Sequence, residues 1–398
     1  MARGKGEWCF SQRKDGLWTA RKQFGYKPDG KKNIVAFYGK SKTIVRNKAA
    51  DYEKNLSDNR SQHIKKNTVY EYVQEWIENY KKLSVKPSTY DGLEDSLNVR
   101  LKPFDIANVQ MCNLSVGLCQ TYINELTQSE KKYSIATIRK SYNLLNACFK
   151  HAVGVGDIEK NPMEFVNMPS PNAVQTKEKD IQYFSEEQAK IIIKEATRTC
   201  KNGVPKHRYG YTICLLLYTG MRIGECLGLR WCDVNFENNT LTIDNTILLV
   251  KNRDGKTTSK RVTIDVSPKT KKSIRQFKLS NNAIETLKRI RELNIYYNLP
   301  VAENNFIVIS KSGCHASARN ITRTLKAILK NCDFTNEEKK YSLHSLRHTF
   351  ASILLAKGAD IKAISELLGH EKTSTTYDIY AHLIANQKDE AVDLIDTL

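Results

Sequence analysis

The chain has 398 residues, 40 % of them hydrophobic, enough for two or three domains with ordinary cores. Its formal charge of +20 points to a polyanionic partner, nucleic acid first. Ten cysteines form no C-x-x-C pair, the start MARGKGEWCF has no apolar signal core, and no run of 18 apolar residues occurs, so a disulfide scaffold, a zinc site, secretion and a membrane span are not expected and a cytoplasmic protein is.

In chain order, residues 1–60 alternate rather than repeat at helical period. EWCFSQRK, LWTARKQFG and NIVAFYGK, separated by turn signals at DG and KPDGKK, predict three short antiparallel strands. In the second, Trp18, Ala20, Lys22 and Phe24 share one face, and Leu17, Thr19, Arg21 and Gln23 the other. A helix over about 42–55 would cover one of them. The segment is strongly basic: residues 1–66 hold 17 Lys/Arg against 6 Asp/Glu. A basic three-stranded sheet can enter a DNA major groove. Lys14, Arg21, Lys22, Gln23 and Lys40 are the candidate contacts, with Arg21 on the favoured face because Trp18 and Phe24 suit packing on the helix. A solvated lysine face is the plain alternative.

SDNRSQHIKKN, about 57–67, reads as a linker. Val69, Tyr72, Val73, Trp76, Ile77 and Tyr80 then fall on one helical face. Further helices are predicted at 88–101, 114–127 and 134–153, the last with a stripe of Ile138, Tyr142, Leu145, Phe149 and Val153. These make a helical domain over 66–167. MPSPNAVQTKEKD, 168–180, is a second linker. A third domain, 181–398, opens at a Ser185–Gln188 capping box. It continues through an apolar helix read to include Arg222, strand-like stretches at 240–249 and 261–266, a helix at 344–357 stopped by Gly358, and a short helix 361–368 ending at Gly369. The tail 381–398 is amphipathic. The expected class is α+β and multidomain: a small sheet plus helix, a helical domain, and a mainly α domain with a β-hairpin.

Six residues of the last domain form a chemical set: Arg222 in YTGMRIGE, Lys269 in SPKTKKS, His344 and Arg347 in HSLRHTF, His370 in LLGHEKT, and Tyr380 in TTYDIYAH. Two arginines can clamp the non-bridging oxygens of a phosphodiester. Histidines and a lysine can move protons, and a tyrosine hydroxyl can attack phosphorus. A free phenol, with a pKa near ~10, needs such a positive setting. His344 and Arg347, three apart, share a helix face. His370 follows a helix C-terminus, where the backbone dipoles favour a protonated ring. Tyr380 falls in a polar stretch that can move. Glu225 reads as a support that holds the Arg222 segment. His348 points about 100° away from Arg347 on a helix and reads as structural.

In this order, R…K…HxxR…H…Y within TGxRxxE, HxLRHT and LLGH contexts, these motifs resemble the tyrosine recombinase (phage integrase) family over about residues 66–398. The resemblance implies strand cleavage by Tyr380, a 3′-phosphotyrosyl intermediate, exchange through a Holliday junction, and no metal or nucleotide cofactor. It favours Tyr380 over Tyr377, since the family nucleophile lies nine or ten residues past the LGH histidine and is followed by x-His, as in Tyr380-Ala381-His382. It makes Lys269 the acid for the 5′-hydroxyl, carried on a β-hairpin; RQFKL departs from the usual R-x-x-P-L, which leaves the hairpin register open. His344 would orient the phosphate and assist proton transfer, and His370 would donate to it.

The 66–167 segment corresponds to a core-binding domain. The N-terminal sheet resembles the arm-binding domain of conjugative-transposon integrases. The implied partners are double-stranded DNA at core and arm sites, three further copies of the chain in a tetramer on DNA, and an excisionase or DNA-bending accessory protein. Rival readings are a dimer resolvase, a type IB topoisomerase, and a DNA-binding regulator that has lost catalysis.

Overall fold

The computed structural model describes residues 7–26, 32–53, 67–170, 173–174, 182–253, 259–266, 274–334, 341–377 and 379–380. The chain divides into two compact units, Met1–Glu178 and Lys179–Leu398. The linker at 57–67 and the tail at 381–398 fall almost wholly outside the described residues, as does much of 168–180. Among the described residues, no helix is long and apolar enough to cross a membrane.

The first unit begins with the expected antiparallel sheet: β1 (Cys9–Gln12), β2 (Trp18–Tyr26) and β3 (Lys32–Gly39), in that spatial order. Arg21 sits between Cys9 of β1 and Ala36 of β3. Helix α1 (42–53) covers the face carrying Trp18, Ala20, Lys22 and Phe24. Ala20, Val45 and Ala49 are fully buried there, with Trp8, Phe10, Trp18 and Phe37 packed around them. Phe24 and Phe37 both meet the Tyr52 ring edge-on.

The helical part of this unit has its own core. It comprises α2 (Val69–Trp76), α3 (Pro87–Asp95), α4 (Val116–Gln128) and α5 (Ile135–Gly154). A Thr68–Glu71 capping box starts α2, and Ser115 and Ser134 cap α4 and α5. Trp76, Tyr122, Leu145 and Phe149 fill the interior. Two predicted stripe residues are exposed. Tyr80 lies in a π-helical turn, Ile77–Lys81, whose wider winding carries it off the buried face. Val153, in the last turn of α5, yields its place to Ala152.

In the second unit, the Ser185–Gln188 capping box opens α6 (Glu186–Ala196) as expected. Helix α7 (Gly210–Thr219) is apolar on all sides and forms the centre of the core, beside α9 (Asn281–Tyr296) and α10 (Ala318–Asn331). The stretch 240–249 is two strands, not one. It breaks at Asp244–Asn245 into β5 (Thr240–Ile243), which lies between β4 (Val234–Asn235) and β8 (Arg275–Lys278), and β6 (Thr246–Lys251), which pairs with β7 (Arg261–Val266). The unit continues through α11 (Leu343–Ala356) and α12 (Ile361–Leu368), followed by helical residues at 373–377 and 379–380.

Candidate active site

The candidate site forms where two helices end. Gly220 closes α7 with φ +61°, and Gly369 closes α12 with φ +65°. Both take the left-handed conformation that glycine adopts without strain. A Cβ at Gly220 would meet the Phe350 ring at 2.3 Å, and one at Gly369 would meet Arg275 Nη1 at 2.6 Å. Because Gly220 stops the helix, Arg222 does not lie inside a helix as the sequence suggests. It is the extended N-cap of α8 (Ile223–Gly228), with its side chain 40 % exposed.

Three consecutive carbonyls at the end of α12 each accept from a different arginine. Arg275 Nε donates to Leu367 O (3.0 Å), Arg347 Nη2 to Leu368 O (2.7 Å), and Arg222 Nη2 to Gly369 O (3.4 Å). Arg347 also donates through Nη1 to Gly220 O (2.9 Å), bridging the C-terminal ends of α7 and α12. The last carbonyls of a helix lack intrahelical donors and carry its negative dipole end, so cations belong there. Burial, then the charge of Arg222, pushes the guanidinium of Arg347 down to about 9.

Glu225 balances this charge. Its oxygens accept from Arg275 Nη1 and Nη2 (3.1 and 2.7 Å), from Arg222 Nη1 (3.0 Å), and from the Arg222 backbone N–H (2.8 Å). Burial opposes its ionisation, but the hydrogen bonds and charge of Arg275 and then Arg222 prevail and bring its pKa down to about 2. Arg275 was not singled out from the sequence. Its clue is the RQFKL run after the lysine-rich stretch PKTKKS, but its carboxylate partner lies fifty positions upstream.

Three imidazoles border the arginines. His344 is exposed at the rim; the protein beneath its ring, then Arg347 and Arg222, lower its pKa. His370 pairs Nδ1 with Thr376 Oγ1 at 2.7 Å. Burial, then Arg347, Arg222 and Arg275, push His370 down to about 4, opposing the protonated ring that the helix dipole favours. His348, read as structural, lies 2.8 Å through Nδ1 from the Tyr380 hydroxyl. Tyr380 is not in an open polar stretch. It is 2 % exposed, packed with Ala351, Leu355, Ile364 and Leu368, whereas Tyr377 is 47 % exposed. Burial raises the Tyr380 pKa, and Arg347 opposes that rise.

Of the six sequence-selected residues, the structure gathers Arg222, His344, Arg347, His370 and Tyr380 in the second unit. Lys269 lies outside the described residues, in the 267–273 segment between β7 and β8. On the N-terminal sheet, Lys14, Arg21, Gln23 and Lys40 are exposed. Lys22 is turned to α1, where its Nζ meets Glu53 at 2.6 Å, so the fold commits it to an internal ion pair.

Comparison with known proteins places these features in context. The profile of the "Phage integrase family" matches residues 182–387, and that of "Phage integrase, N-terminal SAM-like domain" matches residues 68–127. A protein described as "Tyrosine recombinase XerC-like" from Caldanaerobacter subterraneus subsp. tengcongensis is 30 % identical over 384 residues, 94 % of each chain. The transposase of transposon Tn916 from Enterococcus faecalis is 25 % identical over 399 residues, covering 94 % of this chain and 90 % of its own. Among solved structures, the Tn1549 transposon integrase in complex with transposon right end DNA superposes with a TM-score of 0.65 at 22 % identity, over 79 % of this chain and 94 % of that one. At that identity the likeness is one of fold.

Proposed function

The chain belongs to the phage integrase family, and we propose that it is a site-specific tyrosine recombinase that integrates and excises a bacterial mobile element. The observation that carries the site assignment is the set of three neighbouring carbonyls at residues 367–369, which hold Arg275, Arg347 and Arg222 side by side. Like charges held this close are stabilised by an anion brought between them. A phosphodiester fits, with Arg222 and Arg347 donating to its non-bridging oxygens and stabilising the charge that develops there.

In this reading Tyr380 Oη attacks phosphorus and the P–O5′ bond breaks. The strand is left as a 3′-phosphotyrosyl ester, and Lys269 protonates the departing 5′-oxygen. His344 and His370 orient the phosphate. A 5′-hydroxyl from the partner strand then attacks the ester and releases Tyr380. The ester conserves the energy of the broken bond, so no nucleotide or metal cofactor is required. Exchange between two duplexes requires four such cleavages, hence four copies of the chain on a Holliday junction. Residues 66–167 and 181–398 grip the core DNA. Residues 1–60 bind arm sites through the Arg21 face, with Lys14, Gln23 and Lys40. An excisionase or a DNA-bending protein sets the direction, and the protein acts in the cytoplasm.

The test is covalent trapping. On a core substrate nicked beside the cleavage site, the wild-type chain accumulates a DNA adduct visible on a denaturing gel. Tyr380→Phe abolishes the adduct and leaves core binding intact, because binding rests on many phosphate contacts. An adduct that survives in Tyr380→Phe and is lost in Tyr377→Phe overturns the assignment.

A further inference from the structure

We infer that His348, and not His344, accepts the proton of the Tyr380 hydroxyl when that oxygen attacks phosphorus; the inference rests on the transesterification proposed above.

Geometry comes first. His348 Nδ1 is 2.8 Å from Tyr380 Oη, within the reach a general base needs. The phenol is 2 % exposed among apolar side chains, so bulk water is a poor competitor for its proton. His348 follows Arg347 on α11, so the same rigid helix carries a guanidinium for the phosphate and an imidazole for the nucleophile. His344 sits one turn earlier, its ring 5.8 Å from that of His348 and open to solvent at the rim.

Chemistry agrees. A base must carry a lone pair, and His348 does: burial, then the neighbouring His344 and Arg347, lower its pKa to about 4, leaving the ring neutral at pH 7. In the Nε2–H tautomer, Nδ1 accepts the phenolic hydrogen. The charged and titratable groups around it are His344 and Arg347 on α11, Tyr380, and His370 beyond α12. A phosphodiester between the arginines offsets the positive field that weakens the imidazole, so its basicity rises once substrate is bound.

The step balances. The Oη–P bond forms as the P–O5′ bond breaks. The Oη proton passes to His348 Nδ1, and the leaving 5′-oxygen takes a proton from the acid assigned to Lys269. On rejoining, His348 returns its proton to Oη as the ester is displaced.

The test measures single-turnover adduct formation on the nicked core substrate, with core binding by fluorescence anisotropy as the control for folding. His348→Ala should slow the adduct roughly 10²-fold or more, the usual contribution of a general base, with binding unchanged. His348→Asn guards against a collapsed site: its amide can still bond the phenol but cannot take the proton, so it should be comparably slow. A substrate with sulfur in place of the leaving 5′-oxygen needs no acid. It should restore Lys269→Ala and leave His348→Ala slow.

Wild-type rates in His348→Asn would reduce the residue to a holder of the phenol and overturn the inference. So would rescue of His348→Ala by the 5′-sulfur substrate, or a near-normal His348→Ala beside a crippled His344→Ala. Failure of the parent reading looks different: the wild-type chain would form no Tyr380 adduct on either substrate.

Discussion

Glu225 ties two of the three arginines, Arg222 and Arg275, together. Arg275 and Glu225 are each about 10 % exposed as side chains, so their pairing is little weakened by solvent. The folded pKa of Glu225, about 2, lies below its ordinary value of 4.5. The stabilisation is therefore complete above pH 4.5 and is lost as the pH falls toward 2. Glu225→Gln should lower unfolding stability by about 3 kcal/mol at pH 7 and by about half as much at pH 3. Urea titrations at the two pH values check this, and an equal loss at both would mean the carboxylate charge is not what holds the arginines. Arg222, Arg347, His344, His370 and Tyr380 stand out in the sequence because each sits in a short, chemically loaded motif, and the fold brings them together in the second unit. Arg275 and His348 do not. The partner of Arg275 lies fifty positions away, and the partner of His348 thirty-two, and helical periodicity carries no information on such contacts. By helix geometry alone His348 reads as structural, about 100° round from Arg347; in the fold its ring meets the Tyr380 hydroxyl.

At the scale of elements, the glycine stop that ends α12 packs directly against the arginine cluster. Gly369 lies at φ +65°, and a methyl group there would come within 2.6 Å of Arg275 Nη1. Gly369→Ala thus meets two costs, a strained left-handed alanine and a displaced guanidinium. Stability should fall by about 1–3 kcal/mol, more than the ordinary effect of alanine for glycine. Strand cleavage should fall with it, since Arg222 donates to the Gly369 carbonyl. Thermal unfolding together with the nicked-substrate assay checks both; loss of stability with full cleavage would detach this turn from the chemistry. Most helices were legible here because capping residues and apolar spacing agree, as at Ser185–Gln188 and along α11. The failures have local causes. A π-helical turn moved Tyr80 off its predicted face, Gly220 turned Arg222 from a helix interior into an N-cap, and Asp244–Asn245 split one apparent strand between two sheets.

Along the whole chain, positive charge is concentrated in the N-terminal segment rather than in the segments that hold the candidate site. Residues 1–66 hold 17 of the 63 lysines and arginines against 6 of the 43 acidic residues, which accounts for more than half of the net +20. The sheet there has its own buried cluster around Ala20, Val45 and Ala49, separate from the helical core that includes Trp76 and Phe149. A module with its own core and its own charge can be removed without dismantling the rest. Deleting residues 1–60 should therefore leave adduct formation on isolated core DNA intact and abolish binding to duplexes carrying the arm repeats. Each phosphate contact neutralised by a cation adds about 0.9 to the slope of log affinity against log salt. On DNA holding both kinds of site, the full chain should show a steeper slope than the truncated one, and Arg21→Ala should remove part of that difference. Lys22→Ala should leave the slope nearly unchanged, because Lys22 already neutralises Glu53 within the fold. Anisotropy titrations across a salt series decide it. Identical slopes for the full and truncated chains would mean that the basic sheet does not reach the DNA.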